Sequence, residues 1–254
     1  MRLLGLFAFL LICGCGRVPV LPEIDREPER RCSGEACDAT PVLIDEAAPV
    51  TLWSVRFDGA MKLPADDGLD WYGLVLRGSL TVDGCGELGA WWAFRVAQGG
   101  VTVRGKGDAV LGAASGKALS KLGALGPAKA GDVAGKCESV NVKTLPEVTW
   151  AHRTAHARLV FRGGRGYFGL IYSDEGAGSP SHVHEGAWEA VHVLRGGGEV
   201  NTDDDTAPIL PGASFAFRPG LHHGFKSQRE QVVAVQMYSP AGPEQRFLDL
   251  AEGK

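Results

Sequence analysis

From Val50 onward the chain is a series of short runs rich in β-branched and aromatic residues, cut at intervals by Gly, Asp and Pro. They read TLWSVRF, WYGLVLRGSLTV, WWAFRV, GGVTVRG, VNVKTL, ARLVFRG, GYFGLIYS, AVHVLRG, SFAFR and QVVAVQMYS. Runs of this length and composition are strands, and the interruptions are their turns. Glycine supports the same reading: 36 of the 254 residues are Gly, about twice ordinary usage and without a G-X-Y period. The expected class is all-β. Two stretches stand apart. Residues 113–136 are rich in Gly, Ala and Lys and read as a loop or one weak helix. PEQRFLDLAEG, near the end, reads as a short amphipathic helix with Phe247, Leu248 and Leu250 apolar. With 44% hydrophobic and 22% charged residues, the composition excludes wholesale disorder and a polytopic membrane protein. A net charge of −4 provides no basic face, so no nucleic-acid partner is expected.

The amino terminus has a different character. Arg2 precedes an apolar run from Leu3 to Ile12, too short for a permanent membrane span and suited to the apolar region of an export signal. The run ends in ICGC, which resembles a bacterial lipobox. That resemblance implies a signal peptide over residues 1–14, cleavage before Cys15 and lipidation of Cys15. Gly16 rather than Asp follows, which by the same resemblance directs the protein to the outer membrane. Residues 15–48 are rich in Pro, Glu and Arg without periodicity. They read as a tether from a membrane-embedded lipid anchor to a folded part in the cell envelope or periplasm.

Export changes the reading of the remaining cysteines, Cys32, Cys37, Cys85 and Cys137. An even number outside the cytosol favours disulfides. Cys32 and Cys37 are near enough in CSGEAC to close a small loop, which would leave Cys85 with Cys137. Four cysteines nonetheless allow three pairings.

An internal repeat is also present. Val75-Leu76-Arg77-Gly78 with Val82 matches Val193-Leu194-Arg195-Gly196 with Val200 at an offset of 118, and Ala93-Phe94-Arg95 matches Ala216-Phe217-Arg218 at an offset of 123. Two matches in one order indicate two copies of a β unit, each of about 100 residues, a normal domain size.

The second copy carries the chemistry. His182 and His184, two apart on a strand, point to one side, while Val183 points to the other. Glu189 and Gly196 follow, giving H-x-H-x4-E-x6-G, and Pro219-Gly220 turns the chain before His222 and His223. Three imidazoles and a carboxylate converging inside an apolar barrel are costly unless a cation pairs them. HxH, Glu, Gly and PGxxH together resemble the two motifs of the cupins, over about residues 160–250. The resemblance implies two double-stranded β-helix (jelly-roll) barrels, a bicupin. Residues 49–150 would form a degenerate first cupin and 151–254 the metal-binding second one, closed by the short C-terminal helix. It also implies one divalent transition metal (Fe, Mn, Ni, Cu or Zn) on His182, His184, Glu189 and His223, and a homodimer paired through sheet edges.

Transferring the offsets places Pro64, Asp66, Trp71 and Gly100 where the second copy has its four ligands, so the first copy has none. Trp71, Trp91 and Trp92 are better explained by packing than by ligand binding. His222, the rival to His223, is expected to point away. His192, three residues after Glu189, is expected on the outer strand face, and His152 with His156 as a solvated pair. Asp203, Asp204 and Asp205 lack EF-hand spacing and read as a polar loop.

Cupins include dioxygenases, decarboxylases, isomerases, lyases and non-catalytic binders, so the fold does not decide the function. One reading is a metal-dependent enzyme acting on a small oxygen-rich molecule by dioxygenase-like or Lewis-acid chemistry, with quercetinase-like cleavage the class to test first. Tyr172, Glu175 and Arg218 are the acid/base candidates by position. Val191 stands two residues after Glu189, where the cupin lyases that use a tyrosine base would have it. The other readings are a non-catalytic binding module for a small molecule or sugar, and a structural envelope protein.

Overall fold

The computed structural model describes residues 30–37, 42–64, 68–121, 136–203, 205–228 and 230–254. The expected signal peptide, Cys15, Asp66, Asp204 and the side chain of Cys37 lie outside the described residues. Among the described residues, seventeen strands and one α-helix follow in chain order. The first sheet contains β1 (Arg30–Cys37), β2 (Val50–Leu63), β3 (Leu69–Val82), β4 (Gly86–Gly89), β5 (Trp92–Ala97), β6 (Val101–Ser115) and β7 (Lys136–Asn141). The second half contains β8 (Val148–Trp150), β9 (Ala155–Phe161), β10 (Tyr167–Ser173), β11 (Gly178–His182), β12 (Trp188–Arg195) and β13 (Gly198–Thr202). It continues with β14 (Thr206–Ile209), β15 (Ser214–Phe217), β16 (His223–Ser227), β17 (Val232–Ser239) and the helix α1 (Gln245–Ala251). Of residues 113–136, the described part is the end of β6 and a single 3₁₀ turn, Leu119–Lys121.

The repeat in the sequence is a repeat in space. The first sheet runs β1-β2-β6-β3-β5-β7, with β4 on β3; the second half has sheets β15-β12-β17-β10-β9-β8 and β11-β16-β13-β14. The order β5-β3-β6-β2 thus recurs as β15-β12-β17-β10, and β4-β3-β6-β2 recurs as β14-β13-β16-β11. Strands β2, β3 and β6 each do alone what two shorter strands do in the second copy. The 118-residue offset is visible in detail, because β3 bulges against β6 between Val75 and Arg77, and β12 bulges against β17 between Val193 and Arg195. Two residues beyond each bulged leucine the backbone is left-handed at a glycine, Gly78 (φ 70°) and Gly196 (φ 96°). A Cβ on Gly196 would stand 2.5 Å from the Gln231 carbonyl oxygen, and one on Gly78 2.1 Å from that of Lys106. The shared VLRG signature is therefore a bulge followed by a close backbone approach that only glycine permits.

Both faces of the central sheets are buried, which explains strands without polar alternation. In the first barrel, Trp53, Val55, Phe57, Trp71 and Phe94 fill the interior. Their neighbours Leu52, Tyr72, Leu74 and Leu76 face the second barrel and pack on Phe168, Leu170, Val233, Val235 and Met237. Tyr72 stacks on Phe168 at 5.7 Å between ring centroids, and its hydroxyl donates to the Gly166 carbonyl. The three tryptophans weighed as ligand-lining residues serve packing: Trp71 and Trp91 are buried, and Trp92 packs against the first core.

One expectation is corrected here. The segment read as tether over 15–48 supplies strand β1 from Arg30, paired parallel to β2. Among its described side chains, Arg31 and Ser33 are exposed and Cys32 is buried, and a run as polar as RRCSGE leaves no hydrophobic period in the sequence. Cys32 is disulfide-bonded and buried in the first core. Cys85 and Cys137 form a disulfide with Cα atoms 5.5 Å apart, tying β7 to the turn before β4 across 52 residues.

Two outcomes follow for stability. Gly196→Ala should lower the unfolding free energy by at least about 2 kcal/mol in chemical denaturation, from left-handed strain plus the carbonyl clash. Replacing Cys85 and Cys137 by Ala should cost about 4 kcal/mol by the loop-closure relation, read in the same experiment.

Candidate metal centre

The four expected ligands converge. One donor atom from each of His182, His184, Glu189 and His223 lies within 4.8 Å of the other three. Each arrives by local logic. Strand β11 pairs with β16 so that His182 faces His223 directly. Gly220 N–H donates to the His184 carbonyl at 3.0 Å, fastening the PG turn to the HxH segment. Glu189 lies on β12 between Phe217 of β15 and Tyr238 of β17. Two ligands on one ion, each about 2 Å from it, span at most about 4 Å, so sub-ångström to ångström adjustments bring all four donors onto one cation.

Proton accounting tests whether these residues suit a metal. The Nδ1–H of His223 donates to the Leu221 carbonyl (3.0 Å), while Nε2 lies 2.9 Å from Glu189 Oε2. Both neighbours are acceptors, so the imidazole must carry two protons or a cation must stand where the Nε2 proton would be. His182 likewise turns Nδ1 to the Pro180 carbonyl at 2.9 Å, leaving Nε2 for the cluster. His184 Nε2 lies 3.1 Å from the same Glu189 oxygen. The second Glu189 oxygen accepts from Gln236 Nε2 at 2.6 Å. Phe217 stacks on His223 with ring centroids 4.2 Å apart and fixes its plane.

The electrostatics agree. Burial alone would raise the Glu189 pKa, but hydrogen bonds from His184 and His223, with their charge, hold it down to about 2. Burial lowers His182 to about 4, so its ring is neutral. His223 is raised despite burial, because Glu189 bonds and attracts its protonated form. An anion ringed by imidazoles that each keep one nitrogen directed inward is a donor set suited to Fe, Mn, Ni, Cu or Zn.

The centre opens on a cavity of about 250 Å³. Val191, Val193, Phe215, Phe225, Val232 and Ala234 supply apolar wall, together with Trp150 and Phe247. Strand β17 shows how one run serves two bodies. Val233, Val235 and Met237 face the first barrel, whereas Val232, Ala234, Gln236 and Tyr238 line the cavity.

Other candidates fall elsewhere. Tyr172 shares its strand face with Leu170, against the first barrel, and also lines the cavity; its hydroxyl donates to Glu147. Glu175 and Arg218 are exposed and do not line the cavity. His222 is exposed and meets Asp203 at 3.3 Å, pointing away as expected. His152 is exposed. His156 is not solvated as expected: its ring stacks on Tyr172 and Nδ1 meets Glu147 at 3.0 Å, since β8 folds back over β9. His192 does sit on the strand face opposite Glu189, yet it is 2% exposed because that face is covered; its Nδ1 meets Ser214 Oγ at 2.8 Å. Gln236 was not anticipated. Its signal was being, with Tyr238, a polar residue on the inward register of an otherwise apolar run.

In the first barrel the corresponding places are closed. Trp71, at the position of Glu189, is fully buried and donates its indole N–H to the carbonyl of Pro64, at the position of His182.

Residues 169–238 match the family model of the cupin domain. The backbone of the chain is similar to Bacillus subtilis oxalate decarboxylase, in a structure concerned with that enzyme's Mn(II) centres, at 11% identity, 78% of this chain, 70% of that chain and TM-score 0.57. Coverage of 78% exceeds what either half could supply, so the likeness extends over both barrels. Also similar are a cupin 2 conserved barrel domain protein from Leptotrichia buccalis (12% identity, 74% of this chain, 81% of that, TM-score 0.49) and KdgF from Halomonas sp. (20%, 36%, 84%, 0.35). No curated protein matches the chain.

The buried histidine outside the cupin centre gives a pH prediction. Burial lowers His192 from 6.5 to about 4, so between these values the unfolded chain binds more protons than the native one. This contribution to stability is full above about pH 6.5 and is lost as the pH falls toward 4. His192→Asn, which keeps a partner for Ser214, should flatten part of the decline of unfolding free energy across that window.

Proposed function

We propose that this is an exported, lipid-anchored protein of the bacterial cell envelope. Its C-terminal cupin binds one divalent transition metal through His182, His184, Glu189 and His223 and acts on a small organic molecule. The observation that carries the reading is the His223–Glu189 contact. Two buried acceptors at one imidazole demand a positive charge at that point, and three further nitrogen or oxygen donors face it. The export and anchoring part rests on the ICGC sequence alone.

Bound there, the ion would supply Lewis acidity or a redox centre for dioxygen chemistry. The chain's own contributions are distinct. Leu221 and Pro180 fix the imidazole tautomers through their carbonyls. Gln236 orients the Glu189 carboxylate, and Tyr238 accepts a second bond from the Gln236 amide at 2.9 Å. The apolar wall excludes water and strengthens each of these interactions. An apolar cavity of about 150 Å³ holds benzene, so 250 Å³ suits a single substituted ring. A fused quercetin-like ring system would exceed it, and this narrows the quercetinase-like expectation to smaller oxygenated compounds.

One observation favours the second reading, a binding module without turnover. Glu189, held by His184, His223 and Gln236, is the one carboxylate lining the cavity among the described residues. No other carboxylate stands free there to move a proton.

Elemental analysis of the exported protein tests the metal. We expect one transition-metal ion per chain, and at least a tenfold loss of metal affinity in Glu189→Gln and His223→Ala. Adding metal at 100 times the wild-type Kd should stabilise the stripped wild type by about 2.7 kcal/mol and either variant by no more than about 1.4 kcal/mol. A metal-free protein of unaltered fold would overturn the reading. Oxygen uptake against single-ring phenolic and dicarbonyl compounds then separates enzyme from binder.

A further inference from the structure

We propose that Arg246, on α1, recognises a carboxylate, and that the ligand of the cupin cavity is an aryl carboxylate.

The cavity wall contains Arg246 as its one Arg or Lys among the described residues. The side chain is half-buried and makes no hydrogen bond or ion pair with any described residue. Its nearest acids along the helix are engaged elsewhere. Glu244 is buried, accepts from Gly242 N–H at 2.6 Å and faces Arg162 at 3.7 Å, and Asp249 accepts from Gln245 at 3.0 Å. A guanidinium is a planar fork of donors matched to a carboxylate, and leaving it half-buried without an anion is unfavourable.

Its placement is fixed rather than incidental. Phe247 is buried and stacks on Trp150 with centroids 4.9 Å apart, which pins α1 against the cavity. Arg246 and Leu250, one helical turn apart, consequently share the face that lines the cavity.

Charge and shape define the ligand. Glu189 is already engaged by His184, His223 and Gln236, so among the described residues Arg246 is the one charged wall group left without a counter-charge, which calls for an anion. Phe215, Phe217, Phe225, Trp150 and Phe247 form aromatic wall, and 250 Å³ takes one substituted ring. A sugar would leave its hydroxyls facing these rings unpaired, at a cost for each. An aromatic acid satisfies both parts of the cavity.

This inference deepens the proposed function, and the test separates the two. Benzoate and its uncharged counterpart benzamide are titrated calorimetrically into wild type and Arg246→Gln, with metal content measured on each. We expect wild type to bind benzoate at least tenfold more tightly than benzamide. We also expect Arg246→Gln to lose roughly tenfold to a hundredfold in benzoate affinity, with benzamide affinity and metal content unchanged. The arginine effect should persist in chelator-treated protein, so absence of metal sinks the proposed function without touching this inference. Equal benzoate binding by both proteins, or no benzoate binding by wild type, overturns the carboxylate assignment. Should Arg246→Gln misfold, wild type preferring benzamide or treating the two alike is enough to overturn it.

Discussion

Glu189 is a carboxylate 4% exposed inside an apolar barrel, and the rest of the site is arranged to make that tolerable. Taking such an ion out of water costs several kcal/mol unless donors surround it. Two imidazoles meet one of its oxygens and a buried amide meets the other. Backbone carbonyls hold the far nitrogens of His223 and His182, so the orientation of these two rings is set by turns rather than by the ligand. Preorganisation of this type belongs to second contacts that a ligand motif does not include.

Those second contacts also mark how far the sequence could be read. The strands were legible because each run is bounded by turn residues, and the four converging residues because strand alternation converts HxH into a shared face. The repeat was legible because a left-handed glycine after a bulge tolerates no substitute, so VLRG persists in both copies. Gln236 was not legible by spacing, since its meaning depends on which face of β17 looks inward. His192 was read onto the correct strand face but as outward, and His156 as solvated. Whether a strand face is covered is decided by the other barrel or by a fold-back of β8, neither of which is local. The edge strand β1 is polar in sequence apart from Cys32, Ala36 and Cys37 and so leaves no period to detect.

The two copies show how one scaffold can keep or lose a centre. Where the second has Glu189 the first has Trp71, bonded to the carbonyl of Pro64 and packed edge-on against Trp53 at 6.3 Å. An indole replaces both the carboxylate and the volume a ligand would occupy. The first barrel then contributes a rigid, fully packed back to the sheet that carries Glu189 and Gln236.

That division of labour means the cupin domain is not a portable unit. Phe168, Leu170, Val233, Val235 and Met237 face the first barrel; excised, the C-terminal half would present them to water as one contiguous apolar sheet face prone to self-association. The copy without the four ligands thus keeps the apolar back of the other out of water.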